Sequence, residues 1–288
     1  MPARPSTLNA LVSLIRDTSA SLPEDVLDAL RAARRREARG SSAAIVLQTV
    51  LDNCALARRN GTPLCQDTGT LTFFVDARLR RRVTPRLLKR AVARATELGY
   101  LRKNTLDAVS GASHDDNCAE GAPVVHYIEA QETAGADDVR RVTLLLKGGG
   151  SENMSRQYSL PDATLGAGRD LAGVRACVLD AVQKIQGYGC APGILGVCIG
   201  GDRATGYAVA KEQLLRPLDE ATNVRDGLGR LERALLREAN QLGIGPMGLG
   251  GKTTLLGVKV AARTRVPASF FVTVAYMCWA CRRRTLAL

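Results

Sequence analysis

Three cysteines stand in three separated segments marked by glycine or proline, and thiolates are soft ligands suited to iron–sulfur chemistry. Cys65 lies in Thr62-Pro63-Leu64-Cys65-Gln66-Asp67-Thr68-Gly69, Cys190 in Gly187-Tyr188-Gly189-Cys190-Ala191-Pro192-Gly193, and Cys278 in Ala275-Tyr276-Met277-Cys278-Trp279-Ala280. Three converging thiolates can hold a cluster by three of its irons. The fourth iron then has no protein ligand and can act as a Lewis acid. Glycines beside Cys190 allow backbone to approach a bulky group closely, with amides donating to sulfides. Cys65-Gln66-Asp67 sets an amide and a carboxylate next to the first thiolate, and Asp67 is placed to carry a proton. On spacing alone the same residues read as a turn, with Asp67 bonded to backbone ahead of Gly69.

Other motifs compete for attention. Cys278 and Cys281 form a Cys-x-x-Cys, the spacing of a redox pair or half a zinc site. There is no second such pair, and the only histidines are His114 and His126, so a closed tetrahedral site would have to recruit distant residues. Lys147-Gly148-Gly149-Gly150-Ser151 follows an apolar run. Its amides could cradle a carboxylate or phosphate, or the segment could simply be a flexible turn. The segment from Gly243 to Gly248 matches Gly-x-Gly-x-x-Gly but follows a helical pattern rather than a strand, which fails the dinucleotide context. Gly251-Lys252-Thr253 looks like the end of a phosphate loop, yet Pro246 stands where that loop needs its first glycine. Cys54, Cys118, Cys177, Cys198 and Cys281 are expected to be small buried residues, Cys177 beside Val174, Val178 and Ile185 on one helical face.

The elements that must position these groups can be read from periodicity. Helices are expected over residues 24–39, 42–59, 84–98, 170–186 and 226–242, with an amphipathic surface helix near the start. Thr84 reads as an N-cap with Pro85 in the first turn. Strands are expected over 70–77, 123–130, 139–146, 193–199, 253–261 and 269–277. They come in neighbouring pairs without a regular strand–helix repeat. That predicts an α+β fold, helices packed on a mainly antiparallel sheet, as one catalytic domain over residues 1–288 with residues 1–40 a helical N-terminal segment. The chain has 288 residues, and no apolar run approaches the roughly 20 a membrane span needs. The start lacks the basic-then-apolar order of an export signal, so reduced thiols and a cytoplasmic location are expected. The net charge of +12 raises nucleic acid as a partner. The arginine runs at 34–36, 80–82 and 282–284 carry no interleaved aromatics, so they read as solvated faces at element ends rather than a nucleic-acid platform.

Four words in order carry a resemblance: Pro63-Leu64-Cys65-Gln66-Asp67-Thr68-Gly69, Lys147-Gly148-Gly149-Gly150-Ser151-Glu152-Asn153, Gly248-Leu249-Gly250-Gly251-Lys252-Thr253-Thr254 and Cys278-Trp279-Ala280. Over residues 40–284 the chain resembles the alpha subunit of the iron–sulfur hydro-lyases, the L(+)-tartrate dehydratase and class I fumarase family. The resemblance implies a [4Fe–4S] cluster on Cys65, Cys190 and Cys278. It implies Gln66 and Asp67 beside the substrate, with Asp67 the proton carrier, and Gly150 and Arg102 on the two ends of a small 2-hydroxy dicarboxylate such as tartrate or malate. It also implies a separate beta subunit that completes a hetero-oligomeric enzyme. One departure stands out: Val266 occupies the place of a family histidine in Arg265-Val266-Pro267-Ala268-Ser269, and valine can neither donate a hydrogen bond nor carry a proton. That motivates an alternative, a catalytically impaired member that serves as a partner-binding or regulatory subunit.

Overall fold

The computed structural model describes residues 6–129, 139–220 and 227–288. In chain order the elements are α1 (Thr7–Ala20), α2 (Glu24–Arg36), α3 (Ser42–Asn60), β1 (Thr70–Asp76), α4 (Pro85–Glu97), β2 (Thr105–Leu106) and β3 (Ser113–His114). Next come β4 (Val124–Ile128), β5 (Arg141–Lys147), α5 (Gly149–Asn153), β6 (Arg156–Ser159), α6 (Leu171–Ile185) and β7 (Gly193–Ile199). The last are α7 (Arg203–Gln213), α8 (Leu228–Gln241), β8 (Leu255–Ala262), β9 (Phe271–Met277) and β10 (Arg282–Ala287). Two compact units are assembled from separated stretches of chain, which is why no linker marks a boundary in the sequence.

The first unit comprises Met1–Pro23, Asn53–Gly149 and Arg282–Leu288. Its four-stranded sheet runs β10-β5-β1-β4, antiparallel except for the β1–β4 pair. Leu71, Phe73 and Val75 alternate along β1 and, with Val142, Leu144 and Leu146 of β5, face one core. The period of two puts alternate side chains on one face. Helix α1 contributes Leu11, Leu14 and Ile15, and α4 contributes Leu88, Ala91, Val92 and Ala95 at helical spacing. The start of α4 is fixed as its sequence implies: the Thr84 hydroxyl accepts from the Leu87 N–H at 3.2 Å and Pro85 occupies the first turn. Such a cap stabilises a helix by about 1 kcal/mol.

The second unit comprises Glu24–Asp52 and Gly150–Cys281. Its sheet runs β6-β9-β7-β8, antiparallel except for the β7–β8 pair. Every residue of the central strand β7 is buried, matching its unbroken apolar sequence. Helix α6 starts at the Asp170 cap, whose carboxylate accepts from the Gly173 N–H at 2.7 Å, and buries Val174, Cys177, Val178 and Ile185. Helix α7 sits close on the sheet through two glycines. A Cβ on Gly196 of β7 would lie 2.0 Å from the Ala210 carbonyl oxygen, and one on Gly206 would lie 2.5 Å from the Thr273 hydroxyl.

Both units are α+β with mainly antiparallel sheets, as the element pattern predicts. The arginine run at 282–284 is a correction. It is not a solvated end but the start of strand β10, paired with β5 from Arg282↔Leu146 to Ala287↔Arg141. Arg282 and Arg283 are buried there.

Candidate functional site

In the first unit, the residues from Cys65 to Gly69 form the loop that enters β1. Asp67 organises it. Its Oδ1 accepts from the Gly69 N–H at 2.8 Å and from the Asn104 side-chain amide at 2.9 Å, and its Oδ2 accepts from the Gly149 N–H at 2.7 Å. The buried Arg282 guanidinium donates to the Asp67 carbonyl at 2.9 Å. The Asp67 N–H points at the Cys65 sulfur, 3.5 Å away. Gly69 is required where it stands: φ is +77°, and a Cβ would lie 2.4 Å from the Lys147 carbonyl oxygen. The turn reading of Asp67 is therefore correct as far as it goes, and the same carboxylate also reaches the glycine segment after β5.

Arg102 is placed by its backbone. The Thr68 hydroxyl accepts from the Arg102 N–H at 2.9 Å, and the Arg102 carbonyl accepts from the Thr68 hydroxyl and the Asn117 amide. Its side chain is exposed, and no hydrogen bond or ion pair holds it among the described residues. Asn117 is the hub that the sequence did not disclose. It is fully buried at φ 58°, a left-handed position that asparagine tolerates. Its Oδ1 accepts from the Asn104 and Thr105 N–H groups, and its Nδ2 donates to Thr96 and Arg102. Asp67, Asn104 and Gly149 line a cavity of about 340 Å³, at the small end of ligand-sized sites. Gln66 is exposed at the same loop.

In the second unit, Cys190 and Cys278 are brought together. The Trp279 N–H donates to the Cys190 carbonyl at 3.4 Å, and the Met247 N–H donates to the Ala191 carbonyl at 2.9 Å. The Cys278 N–H donates to the buried Ser151 hydroxyl of α5 at 3.2 Å. Cys190 is exposed at φ +54°. Beneath its loop lies the Tyr276 ring: Cβ atoms on Gly189 and Gly193 would lie 2.2 Å and 2.3 Å from ring carbons. Tyr276 is 1% exposed, and its hydroxyl has no hydrogen-bond partner among the described residues. Burial, then the nearness of Cys278 and Cys190, push its phenol well above its ordinary range.

The remaining thiols separate by environment. Burial pushes Cys177 and Cys198 up to about 11 and raises Cys118, which makes them poor nucleophiles and ligands. Cys281 is buried with its sulfur 4.0 Å from the Leu214 carbonyl. None of the eight cysteines forms a disulfide. Among the described residues no three His, Cys, Asp or Glu side chains gather around one point as ligands of a single ion would. Cluster ligands each take a different iron, so they stand further apart.

The phosphate-loop lookalikes are structural. A Cβ on Gly245 would lie 1.8 Å from the Gly250 carbonyl oxygen, and one on Gly187 would lie 2.6 Å from the Met247 carbonyl oxygen, so this glycine-rich stretch backs the Cys190 loop. The Lys252 N–H is already taken by the Glu37 carboxylate at 2.9 Å. Val266 is exposed in a turn where its carbonyl accepts from the Ser269 N–H. His114 and His126 both lie in the first unit, His126 stacked on Phe74. No described helix is long and apolar enough to cross a membrane.

The donors present suit an iron–sulfur cluster. They offer thiols outside disulfides, an N–H aimed at the Cys65 sulfur, glycines that bare the backbone around Cys190, and an unpartnered buried hydroxyl next to two of the cysteines. The structure groups Cys65, Gln66, Asp67 and Arg102 in the first unit and Gly150, Cys190 and Cys278 in the second.

The family described as fumarate hydratase (Fumerase) matches residues 8–287. A protein provisionally named class I fumarate hydratase from Geobacillus stearothermophilus is 47% identical over 279 residues, 95% of this chain and 53% of its own length. The chain thus spans about half the length of that relative. The L(+)-tartrate dehydratase subunit alpha of Escherichia coli strain K12 is 30% identical over 271 residues, 93% of this chain and 86% of the relative. A protein provisionally named for the same subunit in Methanocaldococcus jannaschii is 31% identical, with coverage of 96% and 95%. With residues 8–287 matched, the chain belongs to the fumarate hydratase (Fumerase) family.

Proposed function

We propose that this chain is the alpha-type half of an iron–sulfur hydro-lyase that reversibly dehydrates a small 2-hydroxy dicarboxylate of the tartrate or malate type. The observation that carries the reading is the pairing of Cys190 and Cys278 through the Trp279 N–H, over a glycine-lined ring with an unpartnered hydroxyl. Cys65, Cys190 and Cys278 would hold a [4Fe–4S] cluster. When bound, it supplies an electrophilic iron that makes a substrate hydroxyl a better leaving group. The chain's own residues do the rest. The exposed Arg102 guanidinium grips one carboxylate in a two-point contact. The Gly150 amide at the start of α5 meets the other, and Gln66 donates beside it. Asp67 ties Gly149 to the Cys65 loop and so fixes the spacing between thiolate and glycine segment. It is also the proton carrier proposed for this chain.

The names of two relatives as alpha subunits support a separate beta-type partner. The hetero-oligomer would work in the cytoplasm, where thiols stay reduced. Anaerobic reconstitution with ferrous iron and sulfide tests the reading. The expected outcome is one cluster per chain and loss of the iron chromophore in Cys65→Ser, Cys190→Ser and Cys278→Ser. Absence of iron uptake, or an unchanged spectrum in the triple variant, excludes it.

A further inference from the structure

Tyr276 is the largest polar side chain at the cysteine-bearing end of β9, and its hydroxyl has no hydrogen-bond partner among the described residues. The ring is closely packed by the loop. A side chain at Gly189 would strike Cε1 at 2.2 Å, and one at Gly193 would strike Cε2, Cζ and the hydroxyl at 2.3–2.4 Å. The Tyr276 N–H is tied to the Ser155 hydroxyl at 3.3 Å, and Tyr276 and its two neighbours in β9 are paired with Ile194, Leu195 and Gly196 of β7. A phenol donor left without an acceptor in a dry interior costs stability, so its retention calls for an acceptor outside the polypeptide. Cys278 stands two residues further along the chain, and Cys190 stands in the loop between the two glycines that clamp the ring.

We infer that the Tyr276 hydroxyl donates a hydrogen bond to a sulfur atom at the Cys190–Cys278 edge of the bound cluster. This rests on the cluster reading above and makes Tyr276 a positioning residue, tuning the cluster and never touching substrate. Hydrogen bonds to the sulfurs are one of the levers that set a cluster's potential. The donor stays neutral, and no proton is transferred.

The test compares Tyr276→Phe with the parent chain, both reconstituted anaerobically. Phenylalanine keeps the ring between the glycines and removes only the oxygen. The expected result has three parts. The cluster-free variant melts at or above the parent, because an unsatisfied group is gone. Iron and sulfide contents match. In resonance Raman spectra the iron–sulfur stretches of the variant are displaced, and their shift in heavy water is smaller than the parent's. The variant's reduction potential is also lower, since one stabilising donor to the reduced cluster is lost. Identical stretches and potential in the two proteins overturn the inference while the cluster reading stands. A cluster-free variant that melts well below the parent also overturns it, because the hydroxyl then has a protein partner. If the parent takes up no cluster, the reading beneath it fails, and this inference goes with it.

Discussion

The Cys65 loop and the Cys190 loop solve the same problem, holding a thiol in place, by different means. Around Cys65 the work is done by hydrogen bonds. Asp67 accepts from three donors, Asn117 uses both ends of its amide, and Arg282 is buried to hold one carbonyl. Around Cys190 the work is done by shape. Gly187, Gly189 and Gly193 let backbone press onto backbone and onto a ring, and the ring keeps an unpartnered hydroxyl. In the first arrangement the three bonds to the Asp67 carboxylate are closed within the polypeptide, although the buried Arg282 Nε has no partner among the described residues. The second leaves a polar atom waiting. The contrast that teaches is between the Asp67 carboxylate and the Tyr276 hydroxyl, since bonds already closed resist perturbation and an open one gains on binding.

The comparison is broken most directly at Gly193. The nearest atoms to an added Cβ are the Cε2, Cζ and hydroxyl of a ring that is fully buried. Overpacking of this kind costs about 1–3 kcal/mol, occasionally more, and Gly193→Ala is expected at about 3 kcal/mol in urea denaturation. Adding Tyr276→Leu should recover most of the loss by freeing the space. A single variant as stable as the parent would show that shape is not what holds this loop.

On the other side the equivalent stroke is Asp67→Ala. It strips three donors of their acceptor at once, two of them backbone amides. Hydrogen bonds to a charged group are each worth about 1.5–3 kcal/mol, but water reaches this half-exposed loop, so a total near 2 kcal/mol is expected. Asp67→Asn should cost less, since the amide oxygen keeps an acceptor while its NH2 faces a donor. If both substitutions leave the urea midpoint unchanged, the hydrogen-bonded description of this loop is wrong.

Much of this was legible in the chain. Helix α4 is bounded by Thr84, Pro85 and Gly99, and α6 by Asp170 and Gly187, because caps and stops act locally. The cysteine segments were legible because glycine beside cysteine is a backbone statement that needs no tertiary context. Helix α7 was not. Its buried face is Gly206, Val209, Ala210 and Gln213, small or polar residues that give no apolar stripe, since close packing on the sheet replaces bulk. Strand β10 was hidden by its arginines, which propensity assigns to solvent but which serve here as buried donors. Asn117 carries no neighbouring signal, because its partners lie 12 to 21 residues away in the chain. The orphan on Tyr276 is invisible in the sequence for the same reason: an apolar strand with one tyrosine looks like any other.

The finest test of the comparison is Asn104→Ala, read with and without cluster. The Asn104 amide supplies one of the three donors to Asp67, while its backbone N–H stays with Asn117. Its loss should cost about 1 kcal/mol, the net value of one such bond at a half-exposed site. Because that bond is closed within the polypeptide, the cost should be the same in the cluster-free and reconstituted proteins, measured as the shift in urea midpoint at constant slope. Tyr276→Phe should behave otherwise, neutral or stabilising when the cluster is absent and destabilising when it is present. Equal behaviour of the two variants across both states would erase the distinction between a bond closed within the polypeptide and one left open. Opposite behaviour would locate the unfinished bond at the cysteine end of β9.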